Sequence, residues 1–224
     1  MQPHALNRIP IEILRARVAG EIRAAILRGD LPPGSRVKQE DLAGKLGVSR
    51  EPVRQALLLL QREGLVQAEP NRGALVAPLD RERISDVYGL REAVETTVVA
   101  TLARRPAFDI EPFRRIIERG RAAAQKRDLP ALIDLDMSFH IGLYEADGNR
   151  VMIDLLRAQW THMRRLMSMV LDEGSYRDEI WDEHEEIVMA IKARKVVHAS
   201  ALTGRHIREA KGFMLSFLDG RDDD

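Results

Sequence analysis

Asp136, His140, His184 and His206 are the side chains whose types and spacing suit a shared metal ion. Asp136 and His140 are four residues apart in Asp134-Leu-Asp-Met-Ser-Phe-His-Ile-Gly-Leu-Tyr, so on a helix both leave the same face, one turn apart. His184 lies in Trp181-Asp-Glu-His-Glu-Glu-Ile-Val-Met-Ala-Ile and His206 in Gly204-Arg-His-Ile, two further apolar-periodic stretches. The remaining ligands would then come from two other helices packed on the first, as in bundle interiors. One carboxylate and three imidazoles suit a divalent ion, Zn first, with Ni, Mn or Fe as alternatives. Four protein ligands on an octahedral ion leave two positions, which a carboxylate or hydroxy-carboxylate can fill. Taken singly, each histidine also reads as an ordinary core or surface residue. His162 and His198 are read as structural, and His4 as part of a disordered end.

Such a site needs helices to carry it, and the second half of the chain supplies them. Beyond Pro78-Leu79 the periodicity predicts helices over about 83–104, 109–127, 129–146, 149–171, 177–193 and 195–218. Arg105-Pro106, Asp128-Leu129-Pro130 and Gly148-Asn149 separate them. The first half reads differently. A helix runs from Ile11 to Leu27 and stops at Gly29-Asp30-Leu31-Pro32-Pro33-Gly34. A short helix from Leu42 ends near Gly47, and Ser49 is placed to cap the next, which continues to about Glu63. Leu65–Ala68 and Ala74–Ala77 then flank Pro70-Asn71-Arg72-Gly73 as a hairpin, the wing of a helix-turn-helix. The expected architecture is mainly α: a winged helix-turn-helix over 1–78, then an all-helical bundle over 79–224.

Composition agrees with two modest domains. The 224 residues are 45% hydrophobic and 31% charged, with no cysteine, which removes disulfides, thiolate metal sites and thiol catalysis together. No run of about 18 apolar residues is present to span a bilayer, and the N-terminus lacks the apolar block of a secretory signal. A cytoplasmic protein with no membrane partner is expected. Charge is zero overall but uneven, because residues 1–78 carry 12 Lys/Arg against 8 Asp/Glu. The first domain is therefore the candidate for a polyanionic partner.

Val53, Ala56, Leu57 and Leu60 share one face of the predicted helix at about 100° per residue, which leaves Arg50, Arg54 and Gln61 as a polar stripe. Guanidinium forks one turn apart can bond guanine O6 and N7 or grip phosphates. Gln39-Glu-Asp-Leu-Ala-Gly-Lys-Leu-Gly-Val-Ser-Arg-Glu-Pro-Val-Arg-Gln-Ala-Leu-Leu-Leu-Leu-Gln-Arg-Glu-Gly-Leu-Val, followed by Asn71-Arg-Gly-Ala-Leu-Val, resembles the winged helix-turn-helix of GntR-type bacterial transcription regulators. Asp86-Val-Tyr-Gly-Leu-Arg-Glu-Ala-Val-Glu, Asp136-Met-Ser-Phe-His140, Gly148-Asn149, the His184 segment and His206 are similar to the helical effector domain of the FadR-like subgroup, called FCD.

The resemblance implies a homodimer on a short pseudo-palindromic DNA operator, with a small organic acid in the helical domain changing operator affinity. It implies DNA contacts at Ser49, Arg50, Arg54, Arg72 and Gly73, and an effector-facing arginine at Arg91. On residue spacing alone Arg91 reads equally as a surface salt bridge to Glu95 at i+4. Two departures are visible: Gln55 stands where the pattern usually has Glu, and Arg194-Lys195 replaces a common Gly-Asp. The expected function is a regulator, a repressor relieved by its acid. The rivals are a metal-dependent hydrolase or lyase with an accessory nucleic-acid module, in which Glu183 or Glu185 would act as base, and a regulator sensing the metal alone.

Overall fold

The computed structural model describes residues 11–69, 73–172 and 179–220. The chain divides into two compact units, Met1–Leu79 and Asp80–Asp224. Arg72, His4, the side chain of His162 and the acidic end 222–224 lie outside the described residues.

In the first unit α1 (Ile11–Leu27), α2 (Gln39–Leu46) and α3 (Arg50–Arg62) pack with a three-stranded antiparallel sheet of order β1-β3-β2. The strands are β1 (Arg36–Val37), β2 (Val66–Glu69) and β3 (Gly73–Val76). The anticipated face of α3 is the buried one: Val53, Ala56, Leu57 and Leu60 join Val18, Ile22 and Ile26 of α1 in the core. α2 begins earlier than its apolar periodicity suggests, because Glu40 and Asp41 occupy its first turn, where the helix dipole favours acids. Gly47 closes it at φ +65°. Ser49 stands at the N-cap of α3 but its hydroxyl makes no capping hydrogen bond, which corrects the capping role expected for it. Gly73 has φ +94°, and a Cβ there would meet the Val37 carbonyl oxygen at 2.8 Å. It is the residue that lets β1 close on β3.

Among the described residues the second unit has six helices: α4 (Arg81–Arg104), α5 (Glu111–Lys126), α6 (Leu129–Asp147), α7 (Arg150–Asp172), α8 (Ile180–Lys192) and α9 (Val196–Asp219). Several of the breaks have a visible cause. Asp80 caps α4 by accepting from the Arg83 N–H, and Asp128 caps α6 by accepting from the Ala131 N–H. Gly148 ends α6 at φ +83° and Asn149 opens α7, accepting from the Met152 N–H at 3.2 Å. The turn from α8 to α9 runs through Arg194 at φ +58°, a left-handed backbone that glycine takes at less cost. α4 packs along α9, α5 on α6 and α8, α6 on α7, and α8 on α9. No helix among the described residues is long and apolar enough to cross a membrane.

One glycine fixes the packing of α5 on α8. A Cβ on Gly120 would fall 2.4 Å from the Trp181 ring, far inside contact distance, so the indole sits directly on the helix backbone. Gly120→Ala is therefore expected to destabilise the fold by about 1–2 kcal/mol, the overpacking strain exceeding the helix-propensity gain. Gly89→Ala, where a Cβ meets nothing within 4 Å, is expected to stabilise by about 0.5–1 kcal/mol. Urea denaturation of both variants checks the sign; two shifts in the same direction contradict this packing.

Candidate functional site

In the first unit α3 presents Arg50 and Arg54 outward, with side chains 69% and 47% exposed. Both are held by neighbouring carboxylates. Arg50 Nη1 lies 2.6 Å from Glu40 Oε1, and Arg54 donates from Nε and Nη2 to Glu51 at 2.8 and 2.6 Å. Gln55 also donates to Glu51, at 2.8 Å. Hydrogen bonds from Arg54 and Gln55 hold the Glu51 carboxyl down to about 2. Exposed pairs of this kind contribute little to stability, so both guanidinium groups are free to exchange these partners for others. Ser49, exposed at the head of the helix, keeps its hydroxyl out of the cap.

In the second unit α6, α8 and α9 bring the four predicted ligands together in the interior. Nitrogens of His140, His184 and His206 all lie within 4.8 Å of one another. His206 Nε2 is 3.4 Å from His140 Nε2, and Asp136 Oδ1 is 3.6 Å from His184 Nε2 and 3.8 Å from His140 Nε2. Atoms bound about 2.1 Å from one ion stand roughly 3.0–3.4 Å apart at adjacent corners, so the pairs at 3.4–3.8 Å need only a few tenths of an ångström of contraction, while histidine nitrogens as far apart as 4.8 Å must move further. All four residues are buried; Asp136 is the most accessible, at 8%. His198, in contrast, is exposed.

Two of the imidazoles are oriented by carboxylates that sequence reasoning did not assign to them. His140 Nδ1 is 2.8 Å from Glu95 Oε2, and His206 Nδ1 is 2.6 Å from Glu183 Oε2. Donation through Nδ1 leaves each Nε2 lone pair for the cluster, the arrangement typical of metal-bound histidine. The signal for Glu95 lay in the Arg91-Glu95 spacing. That pair forms at 2.8 Å, but inside the bundle and not on the surface, with side chains 5% and 0% exposed. Arg91 also lies over the Trp160 ring at 4.7 Å and the Tyr88 ring at 5.3 Å. Its Nη2 is buried without a hydrogen-bond partner among the described residues. Burial opposes the charge of Glu95, but Arg91 and His140 overcome it and hold its pKa well below the carboxylate range.

His184 decides what the cluster can hold. It stacks on Phe139 with ring centroids 3.9 Å apart, and neither ring nitrogen has a hydrogen-bond partner among the described residues. Burial, with His206, His140 and Arg91 nearby, pushes its pKa well below that of free imidazole. Burial likewise lowers His206, against the opposing hydrogen bond that it donates to Glu183. Neutral imidazole is the metal-ligating form. A buried polar group without a partner calls for an explanation, and a cation accepting the Nε2 lone pair supplies one. The donor set fits a divalent metal.

Residues 14–76 match the family described as bacterial regulatory proteins, gntR family, and residues 86–209 match the FCD domain. An uncharacterised HTH-type transcriptional regulator from an unstable DNA locus of Streptomyces ambofaciens is 33% identical over 190 residues, covering 84% of this chain and 79% of that protein. The gluconate operon transcriptional repressor of Bacillus subtilis is 28% identical over 191 residues, covering 80% and 75%. Among solved structures, one assigned to a GntR transcriptional regulator from Rhodococcus sp. RHA1 superposes with a TM-score of 0.77 at 27% identity, covering 90% of this chain and 97% of that one. McbR/YncC of Escherichia coli shares the fold, with a TM-score of 0.73 at 18% identity.

Replacing Glu183 by Gln keeps the shape but removes the charge that orients His206. Zinc affinity is expected to fall about 10- to 100-fold with the fold intact, read by competition with a chromogenic chelator. Unchanged affinity would rule out the orienting role.

Proposed function

Given that the chain belongs to the gntR family of bacterial regulatory proteins and carries an FCD domain, we propose that a small organic acid, bound at a divalent metal in the helical domain, sets its affinity for operator DNA. The chain is a DNA-binding transcriptional regulator, and its relatives are regulators and not enzymes. Zn is the metal we assign, with Ni, Mn or Fe as alternatives. Asp136, His140, His184 and His206 would hold it, and the observation that carries this reading is the buried imidazole of His184, whose nitrogens have no hydrogen-bond partner among the described residues. Bound there, the metal would supply a positive centre with coordination positions open to a carboxylate.

The protein's own groups supply the rest. Arg91 donates to Glu95 through Nε, and its Nη2, without a hydrogen-bond partner among the described residues, suits a charge-assisted hydrogen bond to an acidic oxygen. The four ligands and Arg91 come from α4, α6, α8 and α9, so an acid bridging them bears on four helices at once. Operator affinity changes by as much as the acid discriminates between two conformations.

In the first unit, Ser49, Arg50 and Arg54 would contact DNA in a major groove, and Arg72 and Gly73 are the further DNA contacts of the same reading. Arg72 lies outside the described residues, and Gly73 contributes a close backbone approach rather than a side chain. A homodimer on a pseudo-palindromic operator in the cytoplasm completes the reading. Repression is favoured by relatives named as repressors, the gluconate operon protein among them.

If Arg54 reads a base, Arg54→Ala is expected to weaken operator binding by about 1–3 kcal/mol and to relax specificity at one position. A salt-controlled anisotropy titration with identical affinities would remove that role. Chelating the metal, or replacing His184 by Ala, is expected to abolish the response of operator binding to the acid while leaving DNA binding measurable. An undiminished response from metal-free protein would overturn the proposal.

A further inference from the structure

Resting on the reading above that an acid binds beside the metal ligands, we propose that this acid is a monocarboxylate with a plain alkyl tail of about three or four carbons, and not a polyhydroxylated sugar acid. A cleft of about 40 Å³ lies between α6, α7, α8 and α9 and reaches Asp136. Asp136 is the one ionisable residue on its wall among the described residues; Leu132, Met167, Trp181, Phe213 and Met214 form most of the remainder. Because Asp136 Oδ1 stands 3.6 Å from His184 Nε2, the cleft ends one carboxylate away from the histidine cluster. A ligand whose head group reaches the cluster therefore lays its tail against carbon.

The capacity and the polarity of the cleft set the class. One water-sized probe occupies roughly 10–15 Å³, so about 40 Å³ admits three or four heavy atoms. Among the described residues the wall is almost wholly carbon, and the indole N–H of Trp181 is itself buried and not presented to the cleft. A chain bearing a hydroxyl on every carbon would bury several polar groups with nothing to bond, which costs more than the burial returns. An unsubstituted chain meets no such cost, and each methylene removed from water favours binding about fourfold.

The test is calorimetry and thermal shift on the full-length zinc-loaded protein with acetate, butyrate, pentanoate and gluconate as probes. Affinity is expected to rise about fourfold per methylene from acetate to pentanoate, with gluconate no better than acetate. Ala210→Phe places a ring in the cleft, which Ala210 lines, without altering a proposed metal ligand. It should bring pentanoate down to the level of acetate while zinc content and acetate binding hold. Gluconate binding as tightly as pentanoate, or a flat chain-length series, overturns the alkyl-tail proposal and leaves the metal-and-acid reading standing. Failure of every carboxylate to bind a zinc-loaded protein overturns both. The series on the unaltered protein decides the matter even if Ala210→Phe does not fold.

Discussion

A carboxylate at zero exposure inside a helical bundle is tolerable only if its oxygens are fully used, and the second domain is organised around meeting that condition for Glu95. Its Oε2 faces His140 Nδ1 at 2.8 Å, and its Oε1 accepts from Arg91 Nε at 2.8 Å and from the Tyr144 hydroxyl at 2.6 Å. Arg91 in turn lies over Trp160, whose ring also stacks on His140 with centroids 5.7 Å apart. One charge thus ties α4 to α6 and, through the indole, to α7. Removing a single member of such a network leaves a buried charge uncompensated, typically a loss of about 3–5 kcal/mol. The same contacts fix the ring orientation of His140. Structural and functional demands on Glu95 coincide.

The two domains handle charge in opposite ways, and each way suits its task. Arg50 and Arg54 pair with carboxylates on the surface, where solvent screens the attraction and a competing phosphate or base edge can displace the partner cheaply. The histidine cluster is enclosed and oriented in advance by Glu95 and Glu183. Preorganisation of that sort makes a binding event selective in geometry, because few conformations have to be frozen out when the ligand arrives. A reader of many DNA sites benefits from exchangeable contacts; a sensor benefits from a fixed one.

Much of this was legible in the chain. The helices of the second domain follow from periodicity and from punctuation at Asp128-Leu-Pro and Gly148-Asn149, whose capping bonds are present. The four side chains read as candidate ligands lie together where α6, α8 and α9 pack, each on a helical face that periodicity made readable. What escaped depended on tertiary contact. β1 is two residues long and exists only through its pairing with β3, so no local pattern announces it. α4 carries buried residues around much of its circumference, from Ile84 and Tyr88 to Val99 and Leu102, and without a clear solvent face the Arg91-Glu95 pair could be read as exposed. Glu183 is adjacent to His184 in sequence but partners His206, since consecutive helical residues point about 100° apart. Arg194 holds a left-handed turn where the family pattern places glycine, a departure that the sequence shows but whose backbone consequence it does not.

The charge around the cluster constrains what can occupy it. Asp136, Glu95 and Glu183 set carboxylates against the three imidazoles, and Arg91 pairs with Glu95. Burial favours the neutral imidazole at His184 and His206. Isolated buried charge is expensive, and protonating the histidines would meet the same desolvation that keeps them neutral. On the reading proposed above, a divalent cation would take up the Nε2 of His184, which has no hydrogen-bond partner among the described residues. An acid at such a centre would be held by coordination and by Arg91, so the part of the molecule that distinguishes one acid from another would be the part that lies beyond the carboxylate.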